Sequence, residues 1–565
     1  MTNWLTGADA ASRFLQTVVI YDDFAYRDPT EEAVASAASL EGESLVGDVY
    51  DTSAGGPQEE EEPLTDAQDL ETEVIVEGFA DLGVNCAVLA PSASSKGDDE
   101  RRINLVAARS DVVILDWVIR PPTGEAHEQP QSQTSLSVLV DILRNDIEAG
   151  GRLRLICVYS GKANVRDIVS VVEAELSREF NSLVVADELK IDFGAARIVF
   201  LSKARDVPTP GMKTINAEEL PRTVLEEFRK FAASGLFPEL ALQSLSAVRE
   251  QAHRLLRRFS ADLDAALVSH RSVTSASHAV ELSLALVGDE LSAIVESEAT
   301  SSVLDDGKVA AYVDSRLEGK EEAVYWKSVN GGPSRLQVDL ARSALTVGLD
   351  SDNRIVDSDV RLDPKISRVP LLMFGSDEEV LTQSTAIDNQ FSALSMLSRD
   401  SKFDGHDNKG PVLQIGALLK RISSPGSGDG DSDGLVLVCL QPLCDSVRLV
   451  GPTKFPMLPL REVHDGKFEY VVNSSGTYIT LKAGSMRMRD LIMPSFLPSP
   501  EVKAIVAVWA GDGSGWLFSD NEGGQYVWLG NLRFAVAHKL LHSVAHTAGR
   551  IGINEYEYLR RAAGR

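Results

Sequence analysis

Four stretches of this sequence end in groups that could act together on a phosphoryl group. TVVIY at 17–21 runs into the carboxylates Asp22 and Asp23, and DVVIL at 111–115 runs into Asp116. LRLICV at 153–158 leads to the hydroxyl of Ser160, and RIVFL at 197–201 leads to the ammonium of Lys203. Three carboxylates gathered at one place repel one another unless a cation bridges them, and a hard divalent ion with oxygen ligands, Mg²⁺, answers that need. Beside such an ion Asp116 can attack phosphorus as a carboxylate nucleophile, with the metal and Lys203 balancing the charge on the equatorial oxygens. The Ser160 hydroxyl can donate a hydrogen bond to a further phosphoryl oxygen, which would draw its loop inward. A single Asp at a strand end more often makes a turn or caps a helix, so the argument rests on the five positions as a set.

Those positions work together only if the chain brings them to one rim. Apolar runs at 17–21, 84–89, 111–115, 153–158 and 197–201 read as five strands. Segments of helical spacing at 70–82, 101–108, 136–147, 165–176 and 217–231 alternate with them. Parallel neighbours need helical crossovers, and strands covered on both faces read as continuous apolar runs. The expectation is an α/β, flavodoxin-like, doubly wound five-stranded parallel sheet spanning 1–235, with its chemistry at the carboxyl ends of the strands. Gly, Pro, Ser and the acidic run Glu59–Glu62 fill residues 28–69, which read as a flexible acidic insertion after the first strand.

With the acidic pair in VIYDDF, the aspartate in VVILDW, the hydroxyl in CVYSGKA and the lysine in VFLSKA, the first 235 residues resemble the response-regulator receiver family. The resemblance covers about 17–235. It implies that Asp116 is the phosphoacceptor, served by a partner histidine kinase. It further implies that Asp23, Asp116 and the carbonyl of Val118 ligate Mg²⁺ directly, that Asp22 contributes through water, and that Phe200 is an aromatic switch that turns inward when Ser160 moves. The chain departs from the family pattern in three ways: the long insertion, Ala204 where a proline usually follows the lysine, and an additional segment around 182–195. Divergent receivers of this kind resemble those of bacterial conflict and anti-phage two-component systems.

The remainder is less informative. Residues 236–320 read as a helical connector, in which Glu239–Val295 carries Leu, Ala and Val at three- and four-residue spacing with Arg254, Arg257 and Arg258 on the other, solvated face. A homodimer through 239–295 is one expectation. Residues 321–565 read as an α+β output or interaction domain, with strands in VYWKSV, VPLLMF, GLVLVCL, FEYVV and YITL, a Gly/Ser/Asp loop at 425–434, and helical spacing from 534 to 546 and from 555 to 561. GDGSG at 511–515 reads as a hairpin turn, since it lacks the lysine and following helix of a phosphate loop. Cys444, Asp445 and His542, the last spaced four residues from His538 and His546, are the only candidates for a nucleophile and base in this half. The weightier reading makes the cysteine core and the histidines one stripe of a helix.

Composition narrows the function. At 565 residues the chain exceeds what one core supports, so two or three domains are expected. Its 84 Asp and Glu against 55 Lys and Arg give a net charge of −29, which disfavours nucleic acid and anionic membrane surfaces. The four scattered cysteines suit buried thiols in a reducing compartment, and neither a leader nor a ~20-residue apolar span is evident, so a cytoplasmic protein is expected. These features lead to a two-component regulator whose receiver controls a C-terminal module that does not bind DNA. The alternatives are a phosphate sink, which drains and hydrolyses phosphoryl groups from a kinase shared with a second regulator or effector, and a phosphorylation-triggered enzyme in the C-terminal half.

Overall fold

The computed structural model describes residues 8–23, 25, 70–91, 96–119, 132–161, 165–180, 185–187, 189–203, 214–232, 235–273, 276–298, 306–327, 333–356, 358–362, 380–401, 410–422, 435–464, 468–474, 476–484, 486–511 and 514–548. The acidic insertion at 28–69, Ala204, the VPLLMF run, the loop at 425–434 and the helical pattern at 555–561 all lie outside them. The chain divides into two compact units, one of 1–253 with 291–315 and the other of 254–290 with 316–565.

The first unit is built on eight strands: β1 Thr17–Tyr21, β2 Asn85–Leu89, β3 Val112–Leu115, β4 Arg154–Ser160, β5 Val185–Asp187, β6 Lys190–Phe193, β7 Ala196–Lys203 and β8 Thr214–Ile215. Their order is β2-β1-β3-β4-β7-β6-β5, with β8 also on β7. The five strands read from the sequence, β1 to β4 and β7, pair in parallel, giving the doubly wound α/β sheet of flavodoxin type. The additional segment before β7 forms the antiparallel hairpin β5–β6, laid along the edge of that strand.

Alternation along each buried strand sends side chains to opposite faces. Val18, Ile20, Ile114, Cys157 and Leu201 face a core closed by helices α1 (Ala8–Phe14), α2 (Thr72–Asp81) and α6 (Leu220–Ala232). Val19, Val113, Ile156, Val158 and Phe200 face the opposite core, closed by α3 (Lys96–Ala107), α4 (Ser132–Glu148) and α5 (Val165–Phe180). At the foot of β4 the guanidinium of Arg154, 1 % exposed, donates to both oxygens of Asp146 at 2.7 and 2.8 Å, so a buried charge is fully paired. Helix α1 had no counterpart in the sequence reading; its short apolar stretch becomes a helix because Ala10 and Ala11 pack into the first core.

The helical region expected at 239–295 consists of α7 (Leu236–Arg258), a 3₁₀ turn at Ala261–Leu263, α8 (Asp264–Val273) and α9 (Ala276–Glu298). Leu242, Ser246 and Ala247 in the first half of α7 are buried, whereas Arg254, Leu256, Arg257 and Arg258 in its last turns are all exposed. The arginines lie on solvated surface as expected, but apolar side chains share that surface. Helix α10 (Asp306–Leu317) follows, and its Lys308 donates to Glu239 of α7 at 2.6 Å.

In the second unit, β9 (Glu322–Lys327) and β10 (Pro333–Gln337) form a hairpin, followed by α11 (Val338–Thr346) and α12 (Val380–Met396). A larger antiparallel sheet then takes over, from β11 (Leu397–Asp400), β12 (Ala417–Ile422), β13 (Val436–Cys439), β15 (Met457–Glu462), β16 (Tyr470–Ser474), β17 (Thr477–Ala483), β19 (Val508–Trp509), β20 (Trp516–Ser519) and β21 (Gln525–Leu532). Two further short strands, β14 (Thr453–Lys454) and β18 (Ser495–Phe496), pair with each other. Leu418, Val438 and Leu458 pack on one face with α13 (Phe534–Ala548), and Leu419, Leu437 and Trp528 pack on the other. The region is therefore α+β, as its short apolar runs and closing helical spacing led one to expect. Gly511 and Gly515, the first and last residues of GDGSG between β19 and β20, stand at φ 72° and φ 85°, left-handed conformations that suit glycine. Among the described residues no helix is long and apolar enough to cross a membrane.

Candidate functional site

Register explains why the predicted polar groups meet. Tyr21 pairs with Leu115, Leu115 with Val158, and Val158 with Phe200, so the residues just beyond them reach one rim together. The main chain fixes two of the aspartates there: Asp22 N–H donates to Leu89 O at 3.1 Å and Asp116 N–H to Tyr21 O at 3.0 Å. Carboxylate oxygens of Asp22, Asp23 and Asp116 lie within 4.8 Å of one another. Lys203, ending β7, sends its ammonium between two of them, donating to Asp22 Oδ2 at 2.8 Å and Asp116 Oδ2 at 2.9 Å. The second oxygen of Asp116 accepts the Val118 N–H at 3.2 Å.

This cluster is sunk into the fold. Asp22, Asp116, Ser160 and Lys203 are all buried, and Asp23 is half-buried. Burial pushes the Asp116 carboxyl up to about 6; Lys203 opposes that shift, and the charge on Asp22 adds to it. Burial alone would drive the Lys203 ammonium to release its proton, but the charges of Asp116 and Asp22 and the hydrogen bonds to both hold it protonated, with its pKa above that of a free lysine. Three carboxylates against one ammonium leave excess negative charge, and an all-oxygen set of this kind suits a hard divalent cation.

Ser160 closes β4 opposite Ser202 in the register, at the same rim. Phe200 is buried in the core that also holds Val158. Asp22, expected to act through water on a metal, accepts the lysine directly. The sequence reading missed two supports. Ser135, in the first turn of α4, donates to the carbonyl of Asp116 at 2.6 Å, fixing the backbone on the far side of the acceptor. Tyr159 lies beneath the lysine, with Nζ 5.4 Å from its ring centre, while its own hydroxyl donates to Ile215 O at 2.9 Å. An aromatic one residue before Ser160 was a visible signal for the second; nothing in SQTSLS singled out the first.

The C-terminal candidates do not converge among the described residues. Cys444 and Asp445 lie on the 3₁₀ turn Leu443–Asp445, and His538, His542 and His546 are exposed along α13. No hydrogen bond among the described residues joins Cys444, Asp445 and His542. Cys444 was also expected to be core, and it is exposed. It lies past the end of β13, and its neighbour Leu443 takes the place against the apolar core.

Residues 14–208 match the family model described as the response receiver domain. No curated protein and no solved structure matches the chain. The N-terminal region is therefore a response receiver domain, the module by which two-component response regulators take part in signalling, and the C-terminal half has no recognised relative.

Proposed function

We propose that this protein is a response regulator in which Asp116 accepts a phosphoryl group from a histidine kinase. The observation that carries the reading is the Lys203 ammonium bonded to both Asp22 and Asp116 beside Asp23. In the transfer, an oxygen of Asp116 attacks phosphorus as the phosphorus–nitrogen bond of the kinase phosphohistidine breaks, and the imidazole leaves with the electron pair and takes up a proton. Lys203 moves its hydrogen bond from carboxylate to phosphoryl oxygen, and Ser160 donates to another. Asp22, Asp23, Asp116 and the Val118 carbonyl would hold Mg²⁺, which supplies charge neutralisation at the phosphoryl oxygens.

Three domains follow on this reading: a receiver at 1–235, a helical connector at 236–320, and an interaction or effector module at 321–565 that does not bind DNA. We place the protein in the cytoplasm, in a two-component system of the anti-phage kind, on the strength of the divergent receiver pattern. The test is intact-mass measurement with a small phosphodonor and Mg²⁺. A gain of one phosphoryl group in the native chain, absent from Asp116→Asn, is the expected result. Equal behaviour of the two proteins would overturn the assignment, and a gain lost within seconds would move it to a phosphate sink.

A further inference from the structure

We infer that residues 254–290 form a self-association surface that pairs with the same surface of a second copy of this chain. The inference does not depend on phosphorylation of Asp116. Ten large apolar side chains in this segment stand 36–78 % exposed, among them Leu256 at 74 %, Val268 at 64 %, Val273 at 78 %, Val280 at 58 % and Leu284 at 68 %. The 3₁₀ turn at 261–263 and helix α8 bury no side chain at all. In α9, Ala279 is buried, but no described residue from Leu282 to Ser297 is. Ten partly exposed side chains of this size amount to an area on the order of the ~800 Å² per partner of a stable protein interface, against the ~300–600 Å² of the largest patch on an ordinary monomer.

Short helices gain little stability in water from their own hydrogen bonds and depend on burying an apolar face. Around the helix axis α9 reads A-V-E-L-S-L-A-L-V from 279 to 287, with one charge in nine residues. Such a helix is apolar nearly all round, the pattern of a helix covered on more than one side. Within the segment one side is braced by Arg258, whose guanidinium donates to Glu290 at 2.6 Å and ties the end of α7 to α9.

Charge identifies the partner as a second copy. The chain as a whole carries −29, so most of its surface repels another copy. Residues 254–290 hold four arginines (254, 257, 258 and 271) against five acids (262, 264, 281, 289 and 290), leaving this segment near neutrality. The two signs alternate along it, with Asp262 and Asp264 between Arg258 and Arg271 and with Arg258 paired to Glu290. A two-fold interface sets the same patch against itself, which a nearly neutral segment permits without the net repulsion carried by the rest of the chain. An apolar centre with a balanced charged rim is what such an interface requires.

Sedimentation velocity on the full chain at micromolar concentration, without a phosphodonor, tests the inference. The native protein should sediment at twice 61.1 kDa, and Val280→Glu with Leu284→Glu should sediment as a monomer with unchanged circular dichroism. Val268→Asp on α8, a separate helix, should weaken the dimer at least tenfold, so the result does not hang on one variant. A native monomer would overturn the inference, because the surface would then be covered by another part of the same chain or left open. A dimer that survives both variants, or an open-ended assembly, would overturn it equally.

Discussion

Asp111 and Asp116 flank the same four-residue strand, Val112–Leu115, and each takes a cation from a distant part of the chain. At the upper end Asp116 accepts Lys203. At the lower end Asp111 accepts Arg249 of α7 through Oδ1 at 2.9 Å and Oδ2 at 3.3 Å, while Oδ2 also takes the N–H groups of Gln16 and Thr17. The guanidinium of Arg249 covers the Phe14 ring at 4.6 Å and donates to Phe14 O at 2.6 Å. Helix α7 is thus bonded to the foot of the strand whose head carries the candidate acceptor.

This arrangement predicts an order of stabilities. Arg249 is 34 % exposed, so its loss in Arg249→Ala should cost only about 1 kcal/mol. Asp111→Ala also strips the acceptor from two main-chain donors and should cost about 2–3 kcal/mol. Urea unfolding, with hydrogen exchange read over β3, measures both, and equal costs would contradict the role given to Gln16 and Thr17.

At the upper end, Lys203→Met should leave Asp22 and Asp116 facing each other without their ammonium. Breaking a buried pair from one side costs about 3–5 kcal/mol, so the variant should melt far below the native chain in chelator. Millimolar Mg²⁺ should return part of the loss, because a ligand bound only by the folded state stabilises it. The rise in Tm on adding Mg²⁺ should be larger in Lys203→Met than in the native chain. No rise in either protein would argue against a cation site among these aspartates.

The pH response follows from the same burial. The Asp116 carboxyl is raised from its ordinary 3.8 to about 6, so folding favours its protonated form. The resulting contribution to stability is complete below about pH 4 and is lost as pH rises through about 6. Asp116→Asn, which cannot ionise, should therefore lose less stability than the native chain between pH 4 and 7. Nucleophilicity runs the other way: phosphorylation by a small donor should slow about tenfold per pH unit below about 6. A rate flat from pH 7.5 to 5 would show that Asp116 ionises well below that value.

The receiver sheet was legible because its parallel strands are buried on both faces, leaving continuous apolar runs such as TVVIY and VVIL, each followed by an aspartate of the candidate site. The hairpin β5–β6 was not, since VAD and KIDF are short and mixed in polarity; pairing with β7 makes them strands. Lys203 was placed correctly by its position, but its bonds to two carboxylates required the register of β1, β3 and β7. In the second unit the continuous apolar run GLVLVCL marked the buried strand β13, while Cys444 was misread because a few residues past a strand end separate a core side chain from an exposed one.

That exposed thiol has a practical use. Cys157 and Cys439 are buried, Cys86 is half-buried with its thiol pushed up to about 12 by that burial, and Cys444 is the exposed one of the four. A maleimide dye or nitroxide added at neutral pH would therefore attach at one position of the unaltered chain. The second unit comes with its own spectroscopic handle, from which its response to events at the aspartates of the first unit can be read without adding or removing a residue.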